Sequence, residues 1–135
     1  YRSVIPNFFA RAMRGLDLPI TGSRDISRDF NYIDNAVAGT LLAAELPVSR
    51  GQTYNIGSGR ETKIIDLAEA INAITGNRAG VTFHERRTWD SIPNRCADIT
   101  KTVRDLGYAP VVDLEKQLRA TYEWLKEHER FFPPL

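Results

Sequence analysis

A single cysteine, Cys96, stands among the 135 residues. No intramolecular disulfide can therefore staple the chain, and a reducing compartment is expected. Arg95 and Ala97 flank it and no histidine is local, so Cys96 reads as a small buried thiol rather than a nucleophile. No apolar run approaches the ~18 residues a membrane helix needs, and the first residues carry no signal-peptide pattern. A cytoplasmic location is expected. Neither sign of charge dominates, since 18 Lys and Arg against 17 Asp and Glu leave +1. That balance offers no footprint for nucleic acid or a membrane surface. Only two histidines are present, and no His/Cys/carboxylate cluster has metal-ligand spacing. Repeats and low-complexity segments are also missing. What is there is ordinary for a globular protein, 42% hydrophobic and 26% charged, and long enough to bury the core of one domain.

Periodicity supplies the elements. Ile5, Phe8, Phe9, Ala12, Met13 and Leu16 have helical spacing, with Gly15 as a terminator. Residues 18–22 read as a short edge strand, because Pro19 cannot donate to a central ladder. A strand through Arg28, Phe30, Tyr32 and Ile33 is expected to stop at a helix over 35–45. Asp34 would cap that helix, and Val37, Ala38, Leu41 and Leu42 would form its buried stripe. Residues 53–56 read as another strand. Ile64, Leu67, Ala68, Ile71 and Ile74 form one face of a helix that Gly76 ends. A strand over 81–86, a loop over 87–94 and a short helix from 100 to Gly107 follow. The final helix, over 113–129, has Leu114, Leu118, Tyr122 and Leu125 as its stripe. Four or five short strands alternating with helices predict a mixed α/β domain, a small mixed sheet with flanking helices.

Two arginines and a glycine turn carry the chemistry. Arg28 and Asp29 sit where a strand meets a helix, and a rigid guanidinium there is suited to a diphosphate. Gly57-Ser58-Gly59 follows a strand and precedes a helix, as a dinucleotide turn would. G-x-G-x-x-G requires glycine at 62, however, and Thr62 stands there. The turn is read as structural, with Thr62 or Ser58 capping the next helix. Arg87 and Asp90, three apart on a loop, could meet phosphate and ribose together. Taken alone they would form a surface ion pair worth at most ~1 kcal/mol.

The run from Ser27 to Asp34 resembles the R-D-F-x-Y-V-x-D signature of the extended short-chain dehydrogenase/reductase family of nucleotide-sugar epimerases and dehydratases. Tyr54-Asn55-Ile56-Gly57-Ser58-Gly59, Arg87 to Asp90, Asp98 to Lys101, Leu106-Gly107-Tyr108-Ala109-Pro110 and Asp113-Leu114-Glu115 follow in the family's order. The resemblance implies that residues 1–135 are the C-terminal substrate-binding domain. The N-terminal NAD-binding Rossmann domain would then be absent from this chain. It also implies that Arg28 and Arg87 clamp the diphosphate of a nucleoside-diphosphate sugar, Asp90 holds the ribose, and Val4, Ile20 and Thr21 line the base site.

No residue here is given a catalytic role. The family's Tyr-x-x-x-Lys spacing occurs only at Tyr122 and Lys126, on the amphipathic terminal helix. NAD or NADP would serve the full-length enzyme, with none bound by this chain. The expected partners are the nucleotide sugar and the missing Rossmann domain, not nucleic acid or membrane, with homodimer formation left open. A non-catalytic nucleotide-sugar-binding module and a structural α/β domain are the alternatives. Epimerisation, dehydration, decarboxylation and reduction remain undecided.

Overall fold

A computed structural model describes residues 3–85 and 92–128. Its elements are α1 (Val4–Ala12), β1 (Leu18–Thr21), β2 (Ser27–Asp29), α2 (Ile33–Glu45), β3 (Glu61–Lys63), α3 (Ile64–Thr75), β4 (Val81–His84), β5 (Asn94–Arg95), α4 (Thr100–Leu106) and α5 (Leu114–Glu127). A 3-10 turn at Pro47–Ser49 follows α2. The fold is mixed α/β, as expected. The backbone divides into two compact units. The first contains Tyr1–Ile26, Lys63–Pro93 and Leu114–Leu135, and the second contains Ser27–Thr62 and Asn94–Asp113.

In the first unit, α3 is the central helix and buries Ile64, Ile65, Leu67, Ala68 and Ile71. It packs against α1, α5 and β1. From these come Phe8, Phe9, Ala10 and Ala12, then Leu118 and Leu125, then Leu18 and Ile20. Phe9 stacks on Tyr122 with ring centroids 5.8 Å apart. β1 and β4 pair in parallel, from Leu18 opposite Val81 to Thr21 opposite His84. Leu18 N and Gly22 N donate to Gly80 O and His84 O. Residues two apart donate in the same direction, so Pro19 falls where no ladder donor is needed. Asp17 fixes the corner before β1, accepting from Arg11 Nη2 at 2.8 Å and Thr82 Oγ1 at 2.5 Å. The Thr82 hydroxyl and then the Arg11 guanidinium hold its carboxyl below the usual range.

The start of α3 corrects one expectation. Its N-cap is Lys63, with no side-chain cap, so neither Thr62 nor Ser58 performs that task. The first helical amide, Ile64 N, instead donates to Ile26 O at 3.0 Å. A backbone carbonyl thus satisfies a donor that a hydroxyl was expected to take.

In the second unit the sheet order is β3-β2-β5, and β2 pairs β5 in parallel. The strand expected to run to Ile33 ends at Asp29, and Ile33 is already helical. Tyr32 is the N-cap of α2 with no side-chain cap, so Asp34 lies in the first turn instead. There its charge opposes the helix dipole. The expected stripe is also displaced, because the buried residues of α2 are Asn35 and Gly39. Asn35 exchanges two 2.9 Å hydrogen bonds with the backbone of Val111. A Cβ on Gly39 would lie 2.8 Å from Ile56 Cγ2 and 3.1 Å from Tyr108 Cε2, so only glycine permits this approach. Val37 and Leu41 face outward, 48% and 53% exposed.

Residues 53–56 form no strand. Side chains hold their carbonyls: Lys101 Nζ donates to Thr53 O, Thr102 Oγ1 to Asn55 O and Asn31 Nδ2 to Ile56 O. Gly107, at φ 64°, closes α4 as expected. Tyr108 then turns inward, and its hydroxyl donates to Gly57 O at 2.9 Å.

Candidate functional site

Arg28 lies mid-strand in β2, half-buried, and its Nη1 donates to Ser27 O at 2.7 Å. Side chains alternate along a strand, so Asp29 turns to the other face. There its carboxylate gathers the neighbouring backbone. Oδ1 accepts from Ser58 N at 2.9 Å and Ser58 Oγ at 2.5 Å. Oδ2 accepts from Gly59 N at 3.0 Å and Ala97 N at 3.2 Å. One carboxylate thus joins β2 to the glycine turn and to the segment beyond β5 through charge-assisted hydrogen bonds.

The same contacts explain the turn's composition. A Cβ on Gly57 would sit 2.6 Å from Ala97 Cβ and 2.7 Å from Asp29 Oδ2. Gly59 has φ +69° and lies against Ile99. The glycines permit close packing around Asp29, in agreement with the structural reading of the turn. Its amides point at a protein carboxylate, where a dinucleotide turn would aim them at phosphate. Sequence reasoning missed this role of Asp29, because its partners lie 29 to 68 positions away.

The other expected site residues are distributed as follows. Val4 begins α1, and Thr21, half-buried, ends β1. Gly22 and Ser23, just after Thr21, line an open hollow of about 370 Å³ with Ile26, His84, Glu85 and Pro93. Ile20 is 1% exposed, so its side chain supports β1 from the core. Arg87 and Asp90 lie outside the described residues. Cys96 differs from expectation. It is exposed, because β5 places it at the edge of a three-stranded sheet. Desolvation of the sulfur, then the Asp29 and Glu61 carboxylates, push its thiol up, so it remains a poor nucleophile. Tyr122 packs on Phe9, and Lys126 pairs with Glu123 at 2.5 Å; both have structural work in α5. Among the described residues, no group of three His, Cys, Asp or Glu could hold a metal ion. No helix among them is long and apolar enough to cross a membrane.

Known proteins share this architecture. An epimerase from the methanogen Methanothermobacter thermautotrophicus superimposes with a TM-score of 0.93 at 37% identity, over 98% of this chain and 39% of its own. The Bordetella bronchiseptica enzyme WbmF, solved in complex with NAD+ and UDP, superimposes at 0.80 with 35% identity, over 97% and 39%. In sequence, the UDP-N-acetyl-alpha-D-glucosaminuronate decarboxylase of Bacillus cytotoxicus is 33% identical over 134 residues, 96% of this chain and 41% of that protein. The fold is therefore that of the nucleotide-sugar-modifying enzymes. The profile of the NAD dependent epimerase/dehydratase family matches residues 1–57, and the chain as a whole is similar to the nucleotide-sugar enzymes just described. It spans about two fifths of the length of these relatives.

Proposed function

We propose that the chain is the substrate-binding part of an NAD(P)-dependent nucleotide-sugar epimerase or dehydratase. In this reading Arg28 grips the diphosphate of a nucleoside-diphosphate sugar. The observation that carries it is the fixing of β2 at Arg28. The adjacent Asp29 is tied by four hydrogen bonds to the turn at Ser58 and Gly59 and to Ala97. A guanidinium on so constrained a backbone loses little freedom on meeting phosphate oxygens, and its planar fork matches them.

The family resemblance extends the reading to Arg87 as a second phosphate contact, Asp90 on the ribose, and Val4, Ile20 and Thr21 at the base. Ile20 would act through its backbone and by holding Thr21 in place, while the hollow beside Gly22 and Ser23 gives room next to Thr21. NAD or NADP, when bound, would supply the hydride chemistry. The remaining length that the relatives possess would house that cofactor. This chain's contribution is to bind and orient.

A UDP titration of the full-length protein tests the proposal. A charge-assisted hydrogen bond contributes about 1.5–3 kcal/mol, so Arg28→Ala should weaken UDP binding roughly ten- to a hundredfold. Arg28→Lys should recover only part of that loss, because a point charge cannot reproduce the fork. A change below twofold for Arg28→Ala would leave Arg28 a structural residue and withdraw the proposal.

A further inference from the structure

The second unit keeps little of its apolar surface inside. Of its large apolar side chains only Leu106 and Tyr108 are buried, while Ile33, Val37, Leu41, Val48 and Val103 are exposed. The first unit, by contrast, gathers its core about α3.

α2 concentrates the excess. Between Asp34 and Glu45 it carries no charged residue, and Val37, Ala38, Leu41, Leu42, Ala43 and Ala44 lie around its girth. A helix apolar all round belongs in a buried setting. Only Asn35 and Gly39, which share one side, are buried in it. On the side away from them Ile33, Val37 and Leu41 follow one another at intervals of four, which makes a ridge along the helix. With Ala36 and Thr40 they line a shallow hollow of about 260 Å³. α4 packs against α2 and against the 3-10 turn at Pro47–Ser49, and the exposed Val103 and Val48 lie on these adjoining elements.

Two observations select what covers this face. A stable interface between separate molecules takes about 20–30 residues a side, far more than this ridge and its neighbours provide. A contact within one molecule needs less, because the covalent link raises the effective concentration to about the millimolar range. The relatives that share this fold also carry more than half of their length outside the part this chain matches.

Resting on the reading of the chain as part of an NAD(P)-dependent enzyme, we propose that the outward face of α2 is the seat of that enzyme's cofactor-binding part. Ile33, Val37 and Leu41 form the contact ridge. The occupant presents an uncharged, apolar surface, because no charge on α2 between Asp34 and Glu45 could answer one. The contact lies within one molecule, and a second copy is not required.

Maleimide labelling of Val37→Cys and Leu41→Cys, each made in the full-length protein and in this chain, tests the assignment. Peptide masses separate the new thiols from Cys96, and Glu69→Cys, on the exposed side of α3, is the reference for reagent access. A covered thiol reacts only when its face opens. Both positions should therefore label at least about tenfold more slowly in the full-length protein than in the dilute chain. That protection should persist through about a hundredfold dilution of the full-length protein, because an intramolecular contact has no concentration dependence.

Equal labelling in the two proteins, relative to Glu69→Cys, overturns the proposal. Protection that fades on dilution assigns the face to a second copy and overturns it as well. The UDP titration of Arg28→Ala is independent of these rates. Full-speed labelling with UDP affinity still lost in Arg28→Ala overturns the docking face alone. Slow, dilution-independent labelling with unimpaired UDP binding in Arg28→Ala withdraws the reading of Arg28 and supports the contact.

Discussion

Asp29 occupies the last position of β2, and its partners determine the glycine turn that follows residue 56. Ser58 N, Gly59 N and Ala97 N all aim at one carboxylate. Replacing Asp29 with asparagine preserves the shape but leaves one acceptor oxygen and turns an NH2 group toward backbone donors. Removing the partner of a half-buried donor costs about 1–3 kcal/mol, and Asp29→Asn should destabilise the protein by roughly 2 kcal/mol on that scale. Thermal or urea unfolding of the variant measures this. A loss under about 0.5 kcal/mol, the range of an ordinary surface change, would mean the carboxylate is dispensable. Ser58 shows why such a residue resists sequence reading. Its hydroxyl looked available to cap α3, yet it donates to Asp29 and accepts from Arg60 N at 3.2 Å. The first of these depends on a strand 29 positions earlier.

At the scale of elements, the helices with a clean amphipathic face were legible. Spacing and terminal glycines located α1, α3, α4 and α5 to within a few residues, since both signals are local. The strands were less so. β5 has two residues and exists only through its pairing with Ser27 and Arg28. Residues 53–56 have strand composition, but side chains hold their carbonyls. The core stripe of α2 was misjudged because that helix is apolar on more than one face. Its inward side is chosen by Asn35 binding Val111 and by Gly39 admitting Ile56 and Tyr108. The outward side is Ile33, Val37 and Leu41, 63%, 48% and 53% exposed, with Ala36 and Thr40 between them.

An apolar helix face so exposed favours association. This chain alone should self-associate with concentration and bind a hydrophobic dye. Val37→Lys with Leu41→Lys should suppress both while changing stability by no more than about 0.5 kcal/mol. Sedimentation at rising concentration is the measurement. A wild-type chain that stays monomeric and binds no dye would show that the face needs no cover.

For the whole molecule, two units interleaved along one chain divide the residues proposed for the site. The second unit holds Arg28, Asp29 and the glycine turn, while the first holds Val4, Ile20, Thr21 and the hollow beside Ser23. The sequence reading gives neither set a part in hydride transfer. The turn that most resembles a cofactor loop lacks the third glycine at Thr62, and Ser58 N and Gly59 N are committed to Asp29. The only tyrosine with lysine four positions later, Tyr122, is stacked on Phe9, and Lys126 is paired with Glu123.

Calorimetric titration of this chain with NAD should therefore show no saturable heat with a dissociation constant tighter than about 1 mM, an affinity of about 4 kcal/mol. Excess NAD with a UDP-sugar should produce no NADH absorbance. The UDP titration proposed above provides the contrast, because the two ligands depend on different residues. Arg28→Ala in the full-length protein should impair UDP and spare NAD. Stoichiometric NAD binding by the 135 residues alone would relocate the cofactor site into them. The amides of Ser58 and Gly59 would then have to leave Asp29 to reach a phosphate.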